Sequence, residues 1–122
     1  MILGIHALLY TPQAAQVRSF FSDVLGFQSV DAGHGWLIFA LPPAELGIHP
    51  SEAGSEGATA QELYLMCDNI DTTMADLSAK GVEFARPVTE AGFGRMTAIT
   101  LPGGGELGLY EPRHPTALHL RT

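Results

Sequence analysis

The feature that most narrows what this chain can fold into is an internal repeat. Glu45-Leu46-Gly47-Ile48-His49-Pro50 returns as Glu106-Leu107-Gly108-Leu109-Tyr110-Glu111-Pro112, and each copy closes a segment of similar layout. A duplicated half-domain implies a two-part fold with a cleft between the parts. It also marks which residues occupy equivalent positions in the two halves.

The segments before each copy read alike. Residues 2–10 alternate and are rich in Ile and Leu, the pattern of a strand. Thr11-Pro12 is a helix start, and Ala14, Val17, Phe20, Phe21, Val24 and Leu25 form one apolar stripe that Gly26 ends. Strands are expected near 27–32, 35–41 and 45–49, with Gly33-His34-Gly35 and Pro42-Pro43 between them. The polar, small-residue stretch 51–60 reads as a linker.

Then the order repeats: a strand over 62–67, an Asp68-Asn69 cap, a helical stripe of Ile70, Met74 and Leu77, a stop at Gly81, and strands near 82–88, 95–101 and 106–111. The expectation is one α+β domain over 1–122, built from two βαβββ modules at 1–50 and 61–112. The tail 113–122 either packs over a subunit edge or stays mobile, and mobility is the expectation.

At 122 residues the chain can bury a real core, and 46% hydrophobic against 16% charged residues suits a globular protein. A formal charge of −7 argues against nucleic acid or an anionic membrane as partner. The apolar start is short, lacks a basic residue and is broken by His6, so no leader or membrane span is expected and the cytoplasm is the expected location. The single Cys67 excludes an intrachain disulfide and a Cys cluster for zinc. Gly103-Gly104-Gly105 precedes a strand, so it is a turn and not a phosphate loop.

Alternation along a strand assigns faces. His6, Leu8 and Tyr10 share one face, as do Glu62, Tyr64 and Met66. The opposite sides, Ile5-Ala7-Leu9 and Leu63-Leu65-Cys67, are apolar and belong against helices, which makes Cys67 an inert core thiol. Glu111 has the parity of Leu107 and Leu109 and also belongs on the helix side.

This layout resembles the vicinal-oxygen-chelate superfamily, which holds glyoxalases, bleomycin-resistance proteins and extradiol dioxygenases. The likeness spans about 2–112 and rests on His6 in an opening strand, FFSDVLGF at 20–27, LSAKGVEF at 77–84 and PGGGELGLYEP at 102–112. It implies two half-cups of curved mixed sheet around a cleft, helices outside, a small-molecule ligand and a homodimer. It also implies a divalent metal held from the first and last strands of each module.

His6 and Glu62 match the opening-strand ligand positions. The closing-strand positions are Gly47 and Gly108, which have no side chain to donate. His49, two residues beyond Gly47 and on the same face, is the remaining candidate; Glu45 and Glu106 also face the cup. Two functional readings therefore stand beside a third, a catalytically silent fold retained for assembly. One is a glyoxalase- or dioxygenase-like enzyme with a metal at His6, Glu62 and His49, and with Glu62 and His6 as acid–base groups. The other is a metal-free binding protein whose cup is lined by His6, Tyr10, His49, Glu62, Tyr64, Met66 and Tyr110, with Trp36 and Phe39 adding aromatic area.

Overall fold

The computed structural model describes Met1, residues 5–48, Pro50 and residues 61–120. Among these described residues the fold is mixed α+β, with two helices and two sheets. It divides into two compact units, the first from Met1–Ala40 with Leu101–Gly105, the second from Leu41–Thr100 with Glu106–Thr122.

In the first unit, α1 covers Ala14–Ser19 and runs into a π-helical turn at Phe20–Val24. The helix opens later than expected because Thr11 Oγ1 accepts the Gln13 N–H, at 3.1 Å, and so turns the chain before the first helical residue. The stripe read from the sequence is the buried one: Val17, Phe20 and Phe21 are almost fully covered. Gly26 closes the segment at φ +75°, a conformation that costs a residue without Cβ little.

Two short strands follow, β1 (Ser29–Asp31) and β2 (Leu37–Phe39), paired antiparallel with Val30 opposite Ile38. The turn between them falls at Gly33–Gly35 as expected, fixed by the Gly33 N–H on Asp31 Oδ1 at 2.7 Å. Phe39 packs on Phe21, ring centroids 5.6 Å apart. It is partly buried against the α1 segment of this unit. Trp36 is exposed beneath the Arg18 guanidinium, 5.2 Å from its ring centroid.

The second unit is a four-stranded sheet of order β3-β6-β5-β4, with β3 at Tyr64–Met66, β4 at Thr89–Ala91, β5 at Gly94–Thr100 and β6 at Glu106–Pro112. β3 runs parallel to β6; the other pairs are antiparallel. Helix α2 (Ile70–Ala79) is capped by Asn69, whose Oδ1 accepts the Thr72 N–H at 3.0 Å. Glu111 Oε1 accepts the Ile70 N–H at 2.8 Å and ties the start of α2 to β6. That is the helix-side position its parity gave.

The core lies on this side of the sheet: Ile70, Ile99, Leu107 and Leu109 are at most 2% exposed. Asp71, in the first turn of α2, pairs with Arg95 at 2.9 Å, and that hydrogen bond holds its carboxyl below the ordinary aspartate range. Cys67 is half-buried here, and burial pushes its thiol up, which suits an inert role.

Three expected strands differ. The 82–88 strand is displaced: only Phe84 bridges to Ile99, and the ladder resumes at Thr89. Pro87 lacks the N–H a ladder needs, and the Arg86 carbonyl is taken by the Thr97 hydroxyl at 2.7 Å. Residues 5–10 and 41–48 carry no strand among the described residues. Their apolar side chains, among them Ile5, Leu8, Leu46 and Ile48, are exposed. No helix among the described residues is long and apolar enough to cross a membrane.

Candidate functional site

The register of the second sheet sorts its side chains. Leu65, Leu107, Leu109, Thr97 and Ile99 point to the helix side. Tyr64, Met66, Met96, Ala98, Gly108 and Tyr110 share the other face, because Tyr64 pairs with Gly108, Met66 and Met96 both pair with Tyr110, and Ala98 pairs with Gly108. This is the face that the alternation Glu62-Tyr64-Met66 identifies in the sequence.

Two glycines let tyrosines lie against this face. The Tyr64 ring sits over Gly108, so close that a Cβ there would overlap ring carbons Cγ, Cδ1 and Cε1. A Cβ at Gly94 would meet Tyr110 Cε2 at 2.5 Å and the Glu111 carbonyl at 2.7 Å. The two tyrosine rings meet edge to face with centroids 5.9 Å apart, and Phe93 stands edge-on to Tyr110 at 6.2 Å. The Tyr110 hydroxyl donates to the Phe93 carbonyl at 2.9 Å. Tyr64 remains 38% exposed.

The polar groups around the rings are mostly acidic. The Tyr64 hydroxyl donates to Glu62 Oε2 at 2.8 Å, Glu106 pairs with Arg86 at 2.5 Å, and Glu45 holds the chain beyond Pro112. The hydrogen bond to Glu62 is the main reason the Tyr64 phenol lies above the ordinary tyrosine range; burial and the Glu62 charge add to it, and Arg86 opposes it. Tyr110 is also raised, first by burial and then by Glu45.

Ionising Tyr64 would break its bond to Glu62 and set two negative charges side by side, so the phenol stays protonated through neutral pH. Glu62→Ala is expected to move the Tyr64 titration down toward the ordinary value, because the hydrogen-bond acceptor and the charge both go. The check is the difference at 295 nm between each protein and its Tyr64→Phe counterpart. An unmoved midpoint would show that Glu62 does not set it.

The other residues singled out by sequence are placed as follows. His6 and Tyr10 are exposed residues of the first unit, Tyr10 at 91%. His49 lies outside the described residues. Glu62, Tyr64, Met66 and Tyr110 come together on the second unit. An open groove of about 300 Å³ on the first unit is lined by Gln28, Ser29, Val30, Ile38, Phe39 and Ala40, none of them ionisable.

The described donors do not fit a divalent metal. Gly47 and Gly108 offer none, the Tyr64 ring covers Gly108, and Glu62 accepts from Tyr64. Among the described residues no three His, Cys, Asp or Glu side chains are grouped to hold an ion.

Sequence reasoning missed Phe93 and His114. Phe93 was hidden in the Gly-flanked turn 91–94, where an aromatic flanked by glycines was the available signal. His114 sits in the tail expected to be mobile; instead its ring meets Tyr110 edge-on at 5.8 Å.

Residues 5–112 match the model of the Glyoxalase/Bleomycin resistance protein/Dioxygenase superfamily. Among solved structures the chain is similar to TnmS3, an antibiotic binding protein from Streptomyces sp. CB03234. That match has 23% identity and a TM-score of 0.61, over 92% of this chain and 98% of that one. It is also similar to lactoylglutathione lyase from Agrobacterium tumefaciens, with 17% identity and a TM-score of 0.62, over 89% of this chain and 92% of that one. A superfamily member from Sphaerobacter thermophilus matches with 23% identity and a TM-score of 0.58, over 90% and 98% of the two chains. No curated protein matches. At these identities the likeness carries the fold and leaves the ligand to this chain's own residues.

Proposed function

Because the chain belongs to the Glyoxalase/Bleomycin resistance protein/Dioxygenase superfamily, a group with a lyase and an antibiotic binding protein among this chain's structural neighbours, we propose that it is a metal-independent binding protein for planar aromatic cations. The observation that carries this reading is Tyr64 lying over Gly108, an aromatic surface where a closing-strand metal ligand was expected. A planar ligand stacks on the outer face of Tyr64. Tyr110 and Phe93 present their rings beside it, and Glu62 supplies the counter-charge. The charges favour a cation: Glu62, Glu45 and Glu106 outnumber Arg86 near the rings, and the chain carries −7 overall. The fold shared with an antibiotic binding protein is consistent with sequestration.

Thermal unfolding of protein purified without chelator tests this reading against its metal-dependent alternative. Proflavine, a planar aromatic cation, at a hundred times its dissociation constant is expected to add about 2.7 kcal/mol. Ni, Mn, Zn and Fe are expected to add nothing. A stoichiometric metal that stabilises the protein, and is lost in His6→Ala and Glu62→Ala, would assign the chemistry to His6, Glu62 and His49 and reject the binder.

A further inference from the structure

The two copies of the repeat begin with equivalent glutamates, Glu45 and Glu106, and the structure gives them different work. Glu106 pairs with Arg86 on the sheet. Glu45 spends both carboxylate oxygens on the tail: Oε1 accepts the Ala117 N–H at 2.8 Å, and Oε2 lies 3.6 Å from His114 Nε2. Glu45 is only 18% exposed at its side chain, although it lies in a segment without regular structure. The tail is fastened at its other end too. The Arg113 N–H donates to the Phe93 carbonyl at 2.9 Å, and its guanidinium reaches Glu90 at 3.1 Å. Between these anchors His114 Nδ1–H donates to the Pro115 carbonyl at 2.7 Å, which fixes the ring against Tyr110.

We propose that residues 113–120 form a wall of the aromatic site that selects ligands by size, with His114 as its specificity-determining residue and Glu45 as the positioning residue that holds it. This rests on the binding reading above. The Phe93 carbonyl takes both the Tyr110 hydroxyl and the Arg113 N–H, so the turn, the tyrosine and the tail are set by one acceptor. A ring bonded through Nδ1–H to the Pro115 carbonyl and packed edge-on against Tyr110 cannot swing aside without giving up both contacts. The wall therefore stands before any ligand arrives, and it limits how far a planar molecule on Tyr64 extends toward Tyr110. Glu45 positions the wall through His114 and Ala117, and because its charge also lies near Tyr110 the test reads a ratio of two cationic probes.

Two readouts test this, one without any ligand. In the free protein, Glu45→Ala is expected to speed amide exchange at Ala117 about tenfold, with β5 and β6 amides unchanged. Glu45→Gln keeps the acceptor for Ala117 and is expected to restore most of that protection. Unchanged exchange at Ala117 in Glu45→Ala would overturn the role of Glu45. The second readout is the ratio of dissociation constants for ethidium, which carries a bulky phenyl group, and proflavine. Wild type is expected to prefer proflavine, and His114→Ala and Glu45→Ala to shrink that preference about fivefold. An unchanged ratio, with both probes still bound, would overturn the wall while leaving the binding reading intact. If wild type binds neither probe, the binding reading fails and ligand selection with it, and the exchange measurement still decides whether Glu45 holds the tail.

Discussion

Truncating Ile99 to alanine is expected to cost about 2–5 kcal/mol of stability and to lower the melting temperature by roughly 10–20 °C. Ile99 is fully buried near the end of β5 and pairs with Leu107 on β6. Phe84 bridges to the same residue from the other side. Ile70, Leu107 and Leu109, all nearly inaccessible, belong to the same core, so the cavity left by the lost carbons has rigid walls and little means to collapse. Val30→Ala is the matched control: Val30 is 68% exposed on β1, and its truncation is expected to change stability by within about 0.5 kcal/mol. Thermal or urea unfolding of the two variants decides it. Equal losses would show that the second sheet is not where the stability resides.

Much of the buried structure of each unit was legible because its signals are local. The stripe Val17-Phe20-Phe21, the Asn69 cap, the Gly81 stop and the alternation of β5 and β6 each depend on neighbours a few residues away. What failed depends on distant partners. Alternation in 5–10 and 45–49 gives a face to each side chain, but it does not supply a strand to pair with, and no ladder forms there among the described residues. Pro87 was visible, yet its cost to a ladder outweighed the apolar pattern of 82–88.

At the site, parity grouped Glu62, Tyr64 and Met66 and kept Glu111 on the helix side. It could not give the register that sets Tyr64 opposite Gly108. The sequence showed that Gly108 leaves room; only the pairing shows that a tyrosine of the same chain takes it. The tail was unreadable for the same reason, because its anchors at Glu45 and Phe93 lie 72 residues and, by numbering, about 20 residues before it.

The functional account stands or falls with Tyr64. Replacing it with alanine removes the stacking surface over Gly108 and the donor to Glu62, but no side chain of the buried core. Stacking of a planar ligand on one aromatic ring is worth about 1–3 kcal/mol, so affinity for proflavine is expected to fall about 5- to 150-fold. Because Tyr64 is 38% exposed, the variant is expected to fold. Isothermal titration of metal-stripped protein with proflavine measures this directly. The account predicts one-to-one binding that chelator does not change and that Tyr64→Ala weakens by that factor. Binding that appears only when a divalent metal is restored, or that Tyr64→Ala leaves untouched, would contradict it.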